Sequence, residues 1–142
     1  MSRSGYSEDL DNWDLIKWRG QVTSAIRGQR GQKFLRDMLA AFEALPTKRL
    51  IANDIVSPEG EGCAMGALAV ARGIDVARVD AEEPEAVAAL FDIAHQLAQE
   101  VAYENDEGGW HETPEQRYAR MKTWILSNIK REAKTDTTTT KY

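Results

Sequence analysis

Apolar side chains recur at helical spacing over four stretches of the chain. Leu15, Trp18, Val22, Ala25 and Ile26 fall on one stripe, and Asp11 with Asp14 offers a cap and a first-turn acid ahead of it. Gly28 is placed to end that helix in the left-handed conformation that glycine adopts cheaply. Phe34, Leu35, Met38, Leu39, Phe42 and Leu45 make a broader face, predicting a second helix from near Gly31 to Leu45 with Pro46 beyond its end. Val87, Leu90, Phe91, Ala94, Leu97, Ala98 and Val101 form a third stripe, behind a Pro84 that suits a first helical position after the acidic "DAEE". In "TPEQ", Thr113 is the expected cap, Pro114 the first position and Gln116 the closing side of a capping box. Tyr118, Met121, Trp124, Ile125 and Ile129 supply the face of that last helix.

Between these stretches, "CAMGALAVARG" predicts a short helix of small residues that ends at Gly73 and packs closely on its neighbours. "RGQRG" reads as the turn of a helical hairpin, with Gly31 letting the chain re-enter the second helix. Residues 47–62 are compatible with a short strand at Leu50–Ile51, a loop through Pro58, Gly60 and Gly62, and a second strand near Cys63. "YENDEGGWHE" reads as a loop, and "KTDTTTTKY" has no periodicity. The expected fold is therefore mainly α: one domain over residues 1–132 of about five helices, opening with an αα-hairpin, with at most one small β-hairpin near residues 49–64. Residues 133–142 are expected to be a disordered tail.

Composition places this pattern in a globular class, since apolar residues are 42% and charged residues 29%. The polar start shows no apolar run of signal-peptide length, and no segment reaches bilayer length. A single cysteine, Cys63, excludes an intrachain disulfide. A cytoplasmic protein without membrane attachment is expected. The net charge of −5 hides a segregation. Residues 1–50 carry nine Lys/Arg against six Asp/Glu, residues 51–112 two against fourteen, and residues 113–142 seven against three. Either the ends fold against the acidic middle, or one face of the molecule is steered toward a charged partner.

Candidate chemistry is sparse. Cys63 has no second cysteine and stands at no zinc spacing, and lone cysteines among small residues are usually buried and inert. His95 lies beside its apolar stripe as a boundary residue. Glu104, Asp106, Glu107, His111 and Glu112 combine carboxylates with an imidazole, yet lack the alternation of a calcium loop, so a solvated acidic turn is expected there. No phosphate-binding GxxxxGK[ST], GxSxG or GxGxxG motif occurs. Neither catalysis nor a cofactor or metal is expected. What remains is a basic set around the first turn: Lys17, Arg19, Arg27, Arg30, Lys33 and Arg36, with the amides that open the second helix close by. Arg19, Arg27, Arg30, Lys33 and Arg36 are the expected contacts to an anionic partner; ordinary solubilising roles, or pairing with the acidic middle, are the competing reading.

The string "SRSGYSEDLDNWDLIKWRGQVTSAIRGQRGQKFLRDMLAAFEALPTKRLIA" resembles the opening of a widespread family of small proteins encoded by phages and prophages. "CAMGALAVARG" and "YENDEGGWHETPEQRYARMKTW" resemble its later blocks, so the likeness covers nearly the whole chain except residues 133–142. It implies expression inside an infected or lysogenic bacterium rather than a reaction, and it carries over no catalytic residue. A small helical interaction protein acting on a host or defence macromolecule is the leading expectation, with an acidic protein surface as partner. A nucleic-acid-binding accessory protein is the alternative, opposed by a sequence pI of about 5.1 and by the lack of a DNA-reading motif. A small enzyme ranks last.

Overall fold

The computed structural model describes residues 12–57, 60–76, 79–80, 83–108 and 111–130; the cap at Asp11 and the tail at 133–142 lie outside them. Six helices follow one another among the described residues: α1 (Asn12–Arg27), α2 (Gln29–Ala44), α3 (Ala64–Arg72), α4 (Pro84–Phe91), α5 (His95–Glu107) and α6 (Pro114–Asn128). None is long and apolar enough to cross a membrane. α2 packs on α1, α3 and α6, and α5 on α1, α3, α4 and α6. The centre is filled by Phe34, Leu35, Met38 and Phe42 of α2 with Leu68, Phe91, Leu97, Val101, Met121 and Ile125. Phe34 meets Phe91 edge to face at 6.4 Å, and Phe42 stacks on Tyr118 at 5.2 Å.

Local signals set several boundaries. α6 begins with the complete capping box: Gln116 N donates to Thr113 Oγ1 at 3.0 Å, and Thr113 N donates to Gln116 Oε1 at 2.9 Å. α3 ends at Gly73 with φ 70°, where its amide reaches back to the last turn. α2 has no basic residue in its last turn, and Lys48 closes it from outside. Its Nζ donates to the Glu43 and Leu45 carbonyls, both at 2.8 Å, and to Phe42 O at 3.3 Å. The last carbonyls of a helix have no intrahelical donor, and Lys48 serves this end together with the Leu45 amide, which also reaches Phe42 O.

Other expectations need correction. The third stripe is two helices, not one. Asp92 takes a left-handed conformation (φ 57°) that ends α4, and Ala88 O accepts the amides of both Asp92 and Ile93. The break turns Ile93, only 5% exposed, into the core. The stripe survives the break because each half keeps its own buried set. Further on, α5 runs to Glu107, so the first half of the expected "YENDEGGWHE" loop, Tyr103 to Glu107, is helix. The β-hairpin shrinks to a single antiparallel bridge between Val56 and Gly62, beside a Ser57 N to Glu61 O bond of 2.7 Å. Leu50 and Ile51 form no strand; their amides bond to Pro114 O and Gly62 O.

The hairpin glycines also exchange roles. Gly28 is not left-handed: it is the extended N-cap of α2 (φ −71°), the one residue between the two helices. Gly31 lies within α2 and is buried. A Cβ there would collide with Ala25 O and stand 2.9 Å from Ile26 O, so the close crossing of α1 and α2 requires glycine. A Cβ at Gly28 would meet nothing nearer than Ser24 O at 3.6 Å.

Two polar side chains are buried with their partners in place. Gln32 donates to Ile26 O (2.8 Å) and Asn128 O (3.1 Å) and accepts from Lys130 N (2.8 Å), tying α1, α2 and the end of α6 together. Asn105, fully buried, accepts from Ala64 N (3.1 Å) and donates to Ile51 O (2.9 Å). It thereby supplies the first amide of α3 with a partner, which the Cys63 cap does not.

Candidate functional site

The expected basic set lies on α1 and α2, on both sides of the Gly28 turn. Lys17, Arg19 and Arg27 are exposed on α1. Arg30, Lys33 and Arg36 stand at i, i+3 and i+6 on the outer side of α2, away from the Phe34–Leu35–Met38 face. No acidic residue shares the first turn of α2, so Arg30 faces its positive end with no acid of that turn beside it.

Some of these cations already meet other parts of the chain. Arg30 Nη1 lies 3.2 Å from Asp92 Oδ1, with side chains 61% and 79% exposed. Lys33 pairs with Asp37 at 3.0 Å. Arg36 donates to Lys130 O at 3.2 Å. Asp37 also receives Arg72 at 2.8 Å; burial opposes its ionisation, but the hydrogen bonds from Arg72 and Lys33 outweigh that and hold its pKa below the usual value. The acidic middle is met elsewhere too, by Arg49 with Glu61 at 3.5 Å and by Arg120 with Glu112. Charge segregation in the sequence is thus partly an internal matter. Exposed pairs such as Arg30–Asp92 add little to stability, about 0–1 kcal/mol.

Alongside these cations runs an open groove between α1 and the α4–α5 junction. One part, of about 640 Å³, has Lys17, Gln21 and Gln96 on its rim; the other, of about 300 Å³, has Arg30 and Gln29. Ser24, Ala25 and Ala94 belong to both, so the two parts are continuous. Small residues line it, Gly20 and Gly28 on one side and Ala94 on the other. Trp13, Lys17, Gly20 and Ser24 stand at i, i+4, i+7 and i+11 on one face of α1. That face starts apolar, with Trp13 70% and Ile16 63% exposed, and turns cationic toward Arg30.

The other candidates resolve into structural roles. Glu112 accepts from Arg120 Nη2 at 2.9 Å and lies 3.5 Å from Arg117 Nε; the Arg120 hydrogen bonds draw its pKa down. Asp106 Oδ1 accepts from Asn53 N and from Asn105 Nδ2, each at 2.9 Å. Glu104 lies 3.9 Å from Arg120, yet burial and the neighbouring Glu100 raise its pKa. Among the described residues no group of three or more His, Cys, Asp and Glu is gathered as a metal would require. Cys63 is fully buried at the start of α3. His95 is half-buried and tilts against Trp18, ring centroids 6.4 Å apart.

The groove is the part that the sequence did not reveal. Ala94 and Gln96 are far from Lys17 and Gly20 along the chain, and they come beside α1 just after the break at Asp92. No family model, curated protein or solved structure matches the chain.

Proposed function

We propose that this chain is a small helical interaction protein, without catalysis of its own, that engages an acidic protein surface through the α1–α2 hairpin. Arg19, Arg27, Arg30, Lys33 and Arg36 form the cationic field, and Lys17 and Arg30 stand at the two ends of the groove. The setting is that of a phage or prophage protein acting on a host or defence macromolecule inside the bacterial cell.

The observation that carries this reading is the continuity of the groove with exposed cations at both ends and exposed Trp13 and Ile16 on the same helix. A tryptophan beside arginines is the composition that concentrates binding energy at protein interfaces. Against nucleic acid weighs the net charge of −5, which disfavours the approach of a polyanion.

The test is capture from lysates of infected or lysogenic bacteria, with mass spectrometry of what is retained. The expected result is a protein lost when Lys17→Glu and Arg30→Glu are combined, and lost also as salt rises, because screening contracts from about 10 Å at 0.1 M to about 3 Å at 1 M. Retention of every captured protein by the double variant would overturn the reading. Loss of capture after nuclease treatment would favour the nucleic-acid alternative.

A further inference from the structure

We propose that Asp92 is a tethered competitor for Arg30, so that an acidic partner binds by exchanging its own carboxylate for that of Asp92. The inference rests on the proposed function of the hairpin surface and adds a control to it. Three observations support it. Asp92 Oδ1 lies 3.2 Å from Arg30 Nη1, and both side chains are mostly in solvent, so the pair opens at small cost. Asp92 is fixed in the left-handed residue that separates α4 from α5, two positions before the Ala94 that belongs to both parts of the groove. The resident carboxylate therefore sits at the groove's edge and not on a distant face. Arg30 is also the arginine that borders the groove at the start of α2, where no acid of the helix itself neutralises it.

Substitution of Asp92 by asparagine removes the charge while keeping a residue that tolerates left-handed backbone. A fluorescein-labelled peptide of twelve glutamates serves as the acidic probe, with anisotropy read at low and high salt for the wild type, Asp92→Asn, Arg30→Gln and the double variant. Arg30→Gln is expected to weaken binding, which tests the surface itself. Asp92→Asn is expected to tighten it by up to about fivefold, the range set by an exposed ion pair. That gain should vanish in the Arg30→Gln background and shrink at high salt.

If Arg30→Gln weakens binding but Asp92→Asn changes nothing, the surface stands and the competitor is refuted. An equal gain from Asp92→Asn with and without Arg30 also refutes it, since general charge removal would then suffice. If neither substitution alters binding, surface and competitor fall together. Should Asp92→Asn lower the melting temperature, Asp92→Gly repeats the measurement on a residue that takes φ 57° without strain.

Discussion

Replacing three glycines of the hairpin by alanine should give three different results. At Gly31 the new methyl would be driven into the Ala25 carbonyl and lie 2.9 Å from Ile26 O. Both obstacles are main chain of α1, so no side chain can rotate out of the way, and the helices must separate. Overpacking of this kind costs typically about 1–3 kcal/mol. Against it stands at most about 1 kcal/mol from better helix propensity, and less so close to the helix start. A loss of about 2 kcal/mol is expected, or about 4–8 °C in melting temperature for a chain of this size. At Gly20 the same change meets nothing within 4 Å in an exposed helix and should stabilise by about 0.5–1 kcal/mol. At Gly28 the nearest atom is 3.6 Å away and φ is −71°. There the entropy gained from alanine, about 0.4–1 kcal/mol, offsets its poorer capping, and the result should be near zero. Urea unfolding followed by circular dichroism measures all three. A Gly31→Ala protein as stable as the wild type would refute the argument, because the helices could then cross without glycine.

Three further outcomes follow from the polar contacts. Asn105→Ala leaves the buried Ala64 N and the part-buried Ile51 O without their partner and should cost about 3 kcal/mol in urea unfolding. Lys48→Met removes the donor to three carbonyls at the end of α2 and should cost about 1 kcal/mol, whereas Lys48→Arg should recover part of it. Glu104 has a raised pKa, so its contribution to stability is present below the unfolded value and lost as pH rises through the folded one. Glu112 and Asp37 have lowered values, so theirs is lost as pH falls through the folded ones. Thermal melts should therefore show greatest stability at mildly acidic pH, and Glu104→Gln should flatten the limb between that point and neutrality.

The sequence made the helices legible wherever a boundary depends on neighbours in the chain. Thr113 and Gln116 bond to one another, and Gly73 needs only its own dihedral angles, so both ends could be read directly. Asp92 gave no comparable signal: no proline or glycine marks the break, and the burial of Ile93 that favours it depends on the assembled core. The glycines at 28 and 31 were visible as punctuation, yet which of them is obligatory depends on how closely α1 crosses α2. Gln32 and Asn105 look like surface residues in the sequence, because their partners lie 96–98 and 41–54 positions away. The cations of the candidate surface were legible as a group; the groove beside them was not, since its two walls meet only in three dimensions.

The Gln32 contacts bear on the order of folding. The side chain belongs to the second helix to leave the ribosome, but its acceptor at Asn128 O and its donor at Lys130 N are among the last described residues to be made. Until they emerge, an amide destined for burial keeps only its bond to Ile26 O, and water must serve the rest. The hairpin that carries the candidate surface therefore completes its Gln32 contacts only after Lys130 has been made. A polypeptide cut short before Lys130 would keep the same arginines but lose the Lys130 amide that donates to Gln32, so its hairpin should be held less firmly than in the full chain.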